Sequence, residues 1–129
     1  MSTLSFQAMF FARQIHSEQR RKYSGNLYAD HLAEVAGIVS VVSDSHPNAA
    51  VTIATAWLHD SREDQGITDK EISERFGSEV ALGVALLSDL EEGNRATRKE
   101  AARVRLSKAP AWVQDIKVAD LISNTSSIV

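Results

Sequence analysis

His59-Asp60-Ser61-Arg62-Glu63-Asp64 is an unbroken polar string, and it follows directly on Ala49 to Leu58, where nearly every residue is apolar. A helix that is apolar all round is a buried one. Charged groups fastened to its end need a partner, because an unpaired buried charge is costly. A metal ion is one such partner: an imidazole beside a carboxylate offers one nitrogen and one oxygen to a borderline divalent cation. Adjacent residues alone do not make a site, and a capping or surface pair is the plainer account of a lone His-Asp. Further ligands must therefore come from other helices. His31 stands one position before the apolar stripe of the second helix. Asp120 lies at i+4 from Ile116 and i+7 from Val113, which turns it toward the core, and Asn124 is one turn further along that face. His31, His59, Asp60 and Asp120 would supply four ligands from three helices and leave octahedral positions open for water or substrate. The competing accounts are that His31 merely starts a helix and that Asp120 pairs with Lys117 at i−3 on a solvated face. His16 and His46 read as structural.

The elements that must position these groups are helices. With two prolines and six glycines in 129 residues, punctuation is sparse and connections should be short. Leu4, Ala8, Phe11, Ala12 and Ile15 repeat at helical spacing, predicting a first helix from about Thr3 to Arg21, broken at Tyr23-Ser24-Gly25-Asn26. Leu32, Val35, Ala36, Val39 and Val42 form the stripe of a second helix, despite the strand propensity of Ile38 to Val42. Pro47 is placed to open the apolar helix that ends at His59-Asp60. Thr68 and Glu71 make a capping-box pattern for a short helix stopping at Gly77. Ser78 to Leu87 is the next helix, with Val80, Val84 and Leu87 aligned. Glu91 to Thr97 reads as polar loop and a charged helix runs on to about Lys108. A last helix carries Trp112, Val113, Ile116, Ala119 and Ile122. The reading is all-α, about seven helices, in one domain spanning 1–129.

Composition narrows the function classes. Apolar residues make up 43% of the chain, and no apolar run approaches the ~20 residues of a membrane span, so no membrane association is expected. The absence of cysteine excludes disulfides, thiolate metal sites and cysteine nucleophiles. Fourteen basic against seventeen acidic residues, a net charge of −3, argue against nucleic acid as a partner. The first residues lack a basic region followed by an apolar stretch, and a cytoplasmic protein is expected.

In ordered sequence the chain resembles the HD-domain metal-dependent phosphohydrolases, and within them the (p)ppGpp hydrolase domain of RelA/SpoT-type enzymes and their small stand-alone relatives. The resemblance runs from His16-Ser17-Glu18-Gln19-Arg20-Arg21-Lys22 through Gly25, Tyr28, His31 and Val35-Ala36. It continues in Ala56-Trp57-Leu58-His59-Asp60, Glu63-Asp64, Thr68, Ile72, Phe76-Gly77 and Arg98-Lys99, and closes on Ile116 to Leu121 and Asn124. The bare His-Asp pair is a weak signal; the ordered set, with Glu-Asp three residues beyond it and a Lys-x-Ala-Asp helix last, is a strong one.

The resemblance implies an HD-domain helical bundle in which His31, His59, Asp60 and Asp120 bind a divalent ion, usually manganese. It implies that Glu63 and Asp64 orient or deprotonate the attacking water. Asn124 matches a residue contacting the nucleotide, Arg21 and Lys22 match basic residues lining its pocket, Tyr28 its wall, and Arg98 and Lys99 a basic pair facing phosphates. The implied reaction is removal of the 3′-pyrophosphate from ppGpp or pppGpp, giving GDP or GTP. The alternatives are a nucleotidase or phosphatase of the same fold acting on another nucleotide such as NADPH, or a non-catalytic nucleotide-sensing module. The partner is then a small nucleotide, with a homo-oligomer left open. Arg20, Arg21 and Lys22 form the densest basic cluster, which suits phosphates or equally a solvated helix C-terminus. Leu27 and Leu32 stand where the family often has proline, and Gln65 where threonine is common. The chain ends five residues after Asn124, where relatives continue with at least one more helix, so a C-terminally truncated domain is one expectation.

Overall fold

The most apolar stretch of the chain becomes its central element. The computed structural model describes residues 3–21, 25–42, 48–88 and 93–128. Its helices are α1 (Thr3–Ile15), α2 (Tyr28–Val42), α3 (Ala49–Leu58), α4 (Ser61–Gln65), α5 (Asp69–Phe76), α6 (Ser78–Leu87), α7 (Arg95–Ser107) and α8 (Ala111–Ile128). Seven of these run eight residues or more and α4 is a single turn of five, so the all-α bundle of about seven helices is what is observed. Alanines and threonines along α3 keep its surface low, and α1, α2, α6 and α8 all pack against it. Leu32 from α2, Leu58 from α3, Ile72 from α5 and Ile116 from α8 are fully buried together. Burying each such side chain is worth about 1.5–3 kcal/mol, enough to make their meeting point the anchor of the fold.

At Gly83 the packing leaves room for no side chain. A Cβ there would lie 2.7 Å from Thr55 Cγ2 on α3 and 2.7 Å from Trp112 Cη2 on α8. Glycine lets α6 approach both helices, and this close approach brings α8 against the centre of the bundle.

Local signals set most helix ends. Asn48 caps α3 by accepting from the Ala50 N–H at 3.0 Å, while Pro47, read as the helix opener, lies outside the described residues. Thr68 caps α5 by accepting from the Glu71 N–H at 3.2 Å, as the capping-box spacing predicts. Glu71 turns its carboxylate to Arg75 at 3.1 Å. Asn94 accepts from the Thr97 N–H, so α7 begins at Arg95 and takes in the end of the segment read as loop. The first helix is shorter than its predicted Thr3–Arg21 span, because its apolar stripe is exhausted at Ile15. Beyond it the backbone turns and folds back on itself: the Arg21 N–H donates to Asn26 O and the Tyr28 N–H to Gln19 O, both at 2.7 Å, so that Arg20 and Leu27 form a bridge. Gly25, at φ 73°, supplies the left-handed residue this reversal needs. The reversal delivers Tyr28 and His31 to the end of α3.

Candidate metal centre

Three elements carry the cluster. α2 brings His31, the junction between α3 and α4 brings His59 and Asp60, and α8 brings Asp120. One ligand atom from each lies within 4.8 Å of all the others. His31 Nε2 is 2.8 Å from Asp120 Oδ1, His59 Nε2 is 3.2 Å from the same oxygen, and His59 Nε2 is 3.2 Å from Asp60 Oδ2. Both imidazoles are buried.

The outer nitrogens are occupied. His59 Nδ1 donates to the Ala56 carbonyl at 2.6 Å, and His31 Nδ1 lies 2.9 Å from Ser123 Oγ. Both Nε2 atoms thus face inward. Tyr28 OH donates to Asp60 Oδ2, and Asn124 Nδ2 donates to Asp120 Oδ1 at 3.3 Å. Asp120 also meets Lys117, whose Nζ is 3.6 Å from Oδ2. The pairing with Lys117 read from sequence is thus present, but on a buried carboxylate whose other oxygen faces the two imidazoles rather than on a solvated face.

Electrostatics fit this donor set to a cation. Burial alone would lower the pKa of His59, but Asp60 and Asp120 outweigh it and hold it well above the ordinary imidazole value. Burial likewise opposes ionisation of Asp60 and Asp120. Attraction to His59 overcomes it at Asp60, and hydrogen bonds from His31 and His59 overcome it at Asp120, which is held far below the usual carboxylate range. Two inward nitrogens and two carboxylates that favour a proton among them also suit a borderline divalent ion in its place.

The α4 turn that follows is held firmly. Arg62 Nε bonds Asp69 Oδ1 at 3.2 Å, Gln65 Nε2 donates to Gln19 Oε1 at 2.8 Å, and Ser61 Oγ donates to Leu58 O at 2.7 Å. Glu63 and Asp64 sit on this turn, with their side chains outside the described residues.

A cavity of about 480 Å³ opens on the cluster. His59, Asp60 and Asp120 form its inner end, Leu87 and Leu106 contribute apolar wall, and Lys99, Arg103, Arg105 and Lys117 make the rest cationic. Lys99 and Arg98 are both exposed on α7, but Lys99 lines the cavity and Arg98 does not. Lys22 lies outside the described residues. Arg21 is buried, with Nη1 3.1 Å from Glu34 Oε2 and Nη2 donating to the Ser123 carbonyl at 3.0 Å. His16 is buried beside the site; its Nδ1 lies 2.7 Å from Gln19 Oε1 and its ring tilts against Tyr28. His46 is outside the described residues.

Sequence reasoning passed over Ser123 and Arg103. Ser123 could have been found: it lies at i+3 from Asp120, on the face that carries Asn124. Of the three positions that depart from the family's pattern, Leu32 is fully buried in the core, Leu27 pairs with Arg20, and Gln65 bonds Gln19.

An all-α bundle that gathers two imidazoles and two carboxylates at the inner end of a cationic cavity is a framework for a divalent ion and an anionic ligand. Comparison with known proteins makes the class specific. The family model described as HD domain matches residues 8–124. The chain belongs to the HD domain family. It is 33% identical over 127 residues to the GTP pyrophosphokinase rsh of Brucella ovis, covering 94% of this chain and 16% of that one. It is 30% identical over 121 residues to the guanosine-3′,5′-bis(diphosphate) 3′-pyrophosphohydrolase of Aquifex aeolicus, covering 92% and 17%. The chain therefore spans about a sixth of the length of these curated relatives. A solved structure described as a metazoan ortholog of SpoT that hydrolyzes ppGpp matches with a TM-score of 0.85 at 25% identity, covering 98% of this chain and 70% of that one. No helix among the described residues is long and apolar enough to cross a membrane.

Proposed function

We propose that this chain hydrolyses ppGpp and pppGpp, releasing pyrophosphate from the 3′ position and leaving GDP or GTP. The observation that carries the reading is the convergence of His31, His59, Asp60 and Asp120 within 4.8 Å at the end of a cavity that also holds Lys99, Arg103 and Lys117. The HD domain match and the likeness to ppGpp hydrolases support the choice of nucleotide.

His31 and His59 would hold the ion through Nε2, Asp60 and Asp120 through carboxylate oxygens. A bound divalent ion, for which we propose manganese, lowers the pKa of water and offsets charge on the phosphate oxygens. Glu63 and Asp64, on the turn after the His-Asp pair, orient the attacking water and take its proton. The water oxygen bonds to the proximal phosphorus of the 3′ group, the bond from that phosphorus to the ribose 3′ oxygen breaks, and the ribose oxygen leaves with a proton. Lys99, which lines the cavity, neutralises the remaining phosphates, whose oxygens accept charge-assisted hydrogen bonds, with Lys22 as a second cation and a lesser part for Arg98. Asn124 contacts the nucleotide and Tyr28 supplies pocket wall while bracing Asp60. For an activity on such a nucleotide we propose a cytoplasmic location.

The test is manganese-dependent pyrophosphate release from ppGpp, with a chelator control and Asp60→Ala alongside. Chelator-sensitive release that the variant lacks is expected. Metal-loaded, folded protein that releases nothing from ppGpp yet cleaves NADPH or another phosphate ester would overturn the choice of substrate.

A further inference from the structure

Behind the cluster, among residues that do not line the cavity, runs a chain of hydrogen bonds that the reaction itself does not use. His31 Nδ1 lies 2.9 Å from Ser123 Oγ, Ser123 Oγ donates to Glu34 Oε1 at 3.2 Å, and Arg21 Nη1 holds Glu34 Oε2 at 3.1 Å. Arg21 closes the loop through Nη2, which donates to the Ser123 carbonyl at 3.0 Å across 102 positions of sequence. Ser123 and the Arg21 guanidinium are buried, while Glu34 is half-exposed at the surface of α2.

The direction of this chain is set by what each group can do. A carboxylate only accepts, and a serine hydroxyl has one proton to give. With Arg21 on Oε2, Glu34 offers Oε1 to that proton. Ser123 Oγ is then left to accept from His31 Nδ1–H, which leaves Nε2 as the inward nitrogen, bonded to Asp120 without the ion and offering its lone pair to a bound one. A carboxylate or its relay behind a ligating histidine fixes both ring orientation and tautomer. His59 achieves the same end through the Ala56 carbonyl. We infer that Ser123, aligned by Glu34 and Arg21, is the positioning residue that sets the tautomer and ring plane of His31 for metal binding.

This inference rests on the metal reading of the cluster, and it gives Arg21 a part different from the phosphate contact implied by the family resemblance. Its bonds go to α2 and α8 and it is not among the residues lining the cavity.

The experiment is calorimetric titration of the full chain with Mn²⁺ alone, in wild type, Ser123→Ala, Ser123→Thr, Glu34→Ala and Arg21→Met, with a melting curve for each metal-free protein. Loss of such an outer partner weakens metal affinity by about 10–100-fold, and Ser123→Ala should fall in that range while melting near wild type. Ser123→Thr keeps the hydroxyl and should recover most of the affinity. At saturating Mn²⁺, Ser123→Ala should regain turnover with KM unchanged. Wild-type affinity in Ser123→Ala overturns the inference, as does equal weakening in Ser123→Thr, which would point to packing. Arg21→Met that raises KM with Mn²⁺ affinity intact removes Arg21 from the relay. Failure of the wild type itself to bind Mn²⁺ overturns the metal reading, an outcome distinct from all of these.

Discussion

Asp120 and His31 stand 89 positions apart in the chain, yet Asp120 Oδ1 lies 2.8 Å from His31 Nε2. The contact joins α8 to α2, and both elements rest on α3, which supplies His59 and Asp60 at its end. A site assembled on three helices is only as accurate as their packing, and the central helix is therefore as much a part of the candidate metal centre as the four side chains.

Removing a ligand and removing the proton acceptor should be separable. His59→Ala or Asp120→Ala should abolish Mn²⁺ binding and pyrophosphate release together. Glu63→Gln should leave Mn²⁺ affinity near wild type and lower kcat by about 10²–10⁴-fold, the usual contribution of a positioned general base. Calorimetry and single-turnover assays on the same preparations decide between these patterns. A Glu63→Gln protein that keeps full kcat removes that residue from the chemistry.

Metal-free protein should lose stability on both sides of neutrality, and manganese should reverse the alkaline side. The pKa of His59 is raised in the fold above its ordinary 6.5, so its contribution is fully present below that value and is lost as pH rises through the raised one. Asp60 and Asp120 are lowered, so their contribution is present above the ordinary carboxylate range and is lost as pH falls below it. With His59 as a ligand, manganese would need it deprotonated, so its stabilising effect should grow over the window in which the metal-free protein weakens. Melting temperatures in chelator and in Mn²⁺, from about pH 2 to pH 9, measure both slopes. A manganese shift that shrinks with rising pH would contradict this.

Gly83→Ala should destabilise the bundle. The added methyl would meet Thr55 and Trp112 at 2.7 Å, and overpacking of this kind costs about 1–3 kcal/mol. Better helix propensity returns up to about 1 kcal/mol, so a net loss is expected in urea unfolding. Because α8 carries Asp120, Mn²⁺ affinity should fall as well.

Lys99→Met should weaken substrate use without touching the metal. A hydrogen bond to a charged group is worth about 1.5–3 kcal/mol, so kcat/KM should drop by about 10–100-fold and its dependence on salt should flatten. Arg98→Met, exposed on α7, should change kcat/KM far less. Steady-state assays at two ionic strengths compare them, and equal losses would show that α7 offers both residues to the phosphates.

Much of this protein is legible from local spacing. The 3.6-residue period placed Ile116, Asp120 and Asn124 on one face of α8, and the apolar run from Ala49 to Leu58 marked the buried helix to which His59 and Asp60 are attached. Thr68 and Glu71 marked a helix start, because a cap needs only atoms three residues apart. The first helix was read too long for the same local reason: polar residues after Ile15 are compatible with a helix, and the pairing of Gln19 with Tyr28 that ends it comes from further along the chain.

What the sequence determined by itself was which side chains share a helix face, and hence which could be ligands. Only the tertiary structure decided their company. Arg21 is basic and looks like a phosphate ligand until α2 and α8 close around it and give its guanidinium to Glu34 and to the Ser123 carbonyl. Lys99 and Arg98 are neighbours in sequence and both exposed, but 100° of helical rotation sends only Lys99 to the cavity. Ser123 is an ordinary helix residue until His31, 92 positions away, comes within 2.9 Å of its hydroxyl. A helix face is fixed by the geometry of a few covalent bonds. Its partners depend on how separate helices pack, and here that depends on small residues such as Gly83, where α6 meets α3 and α8.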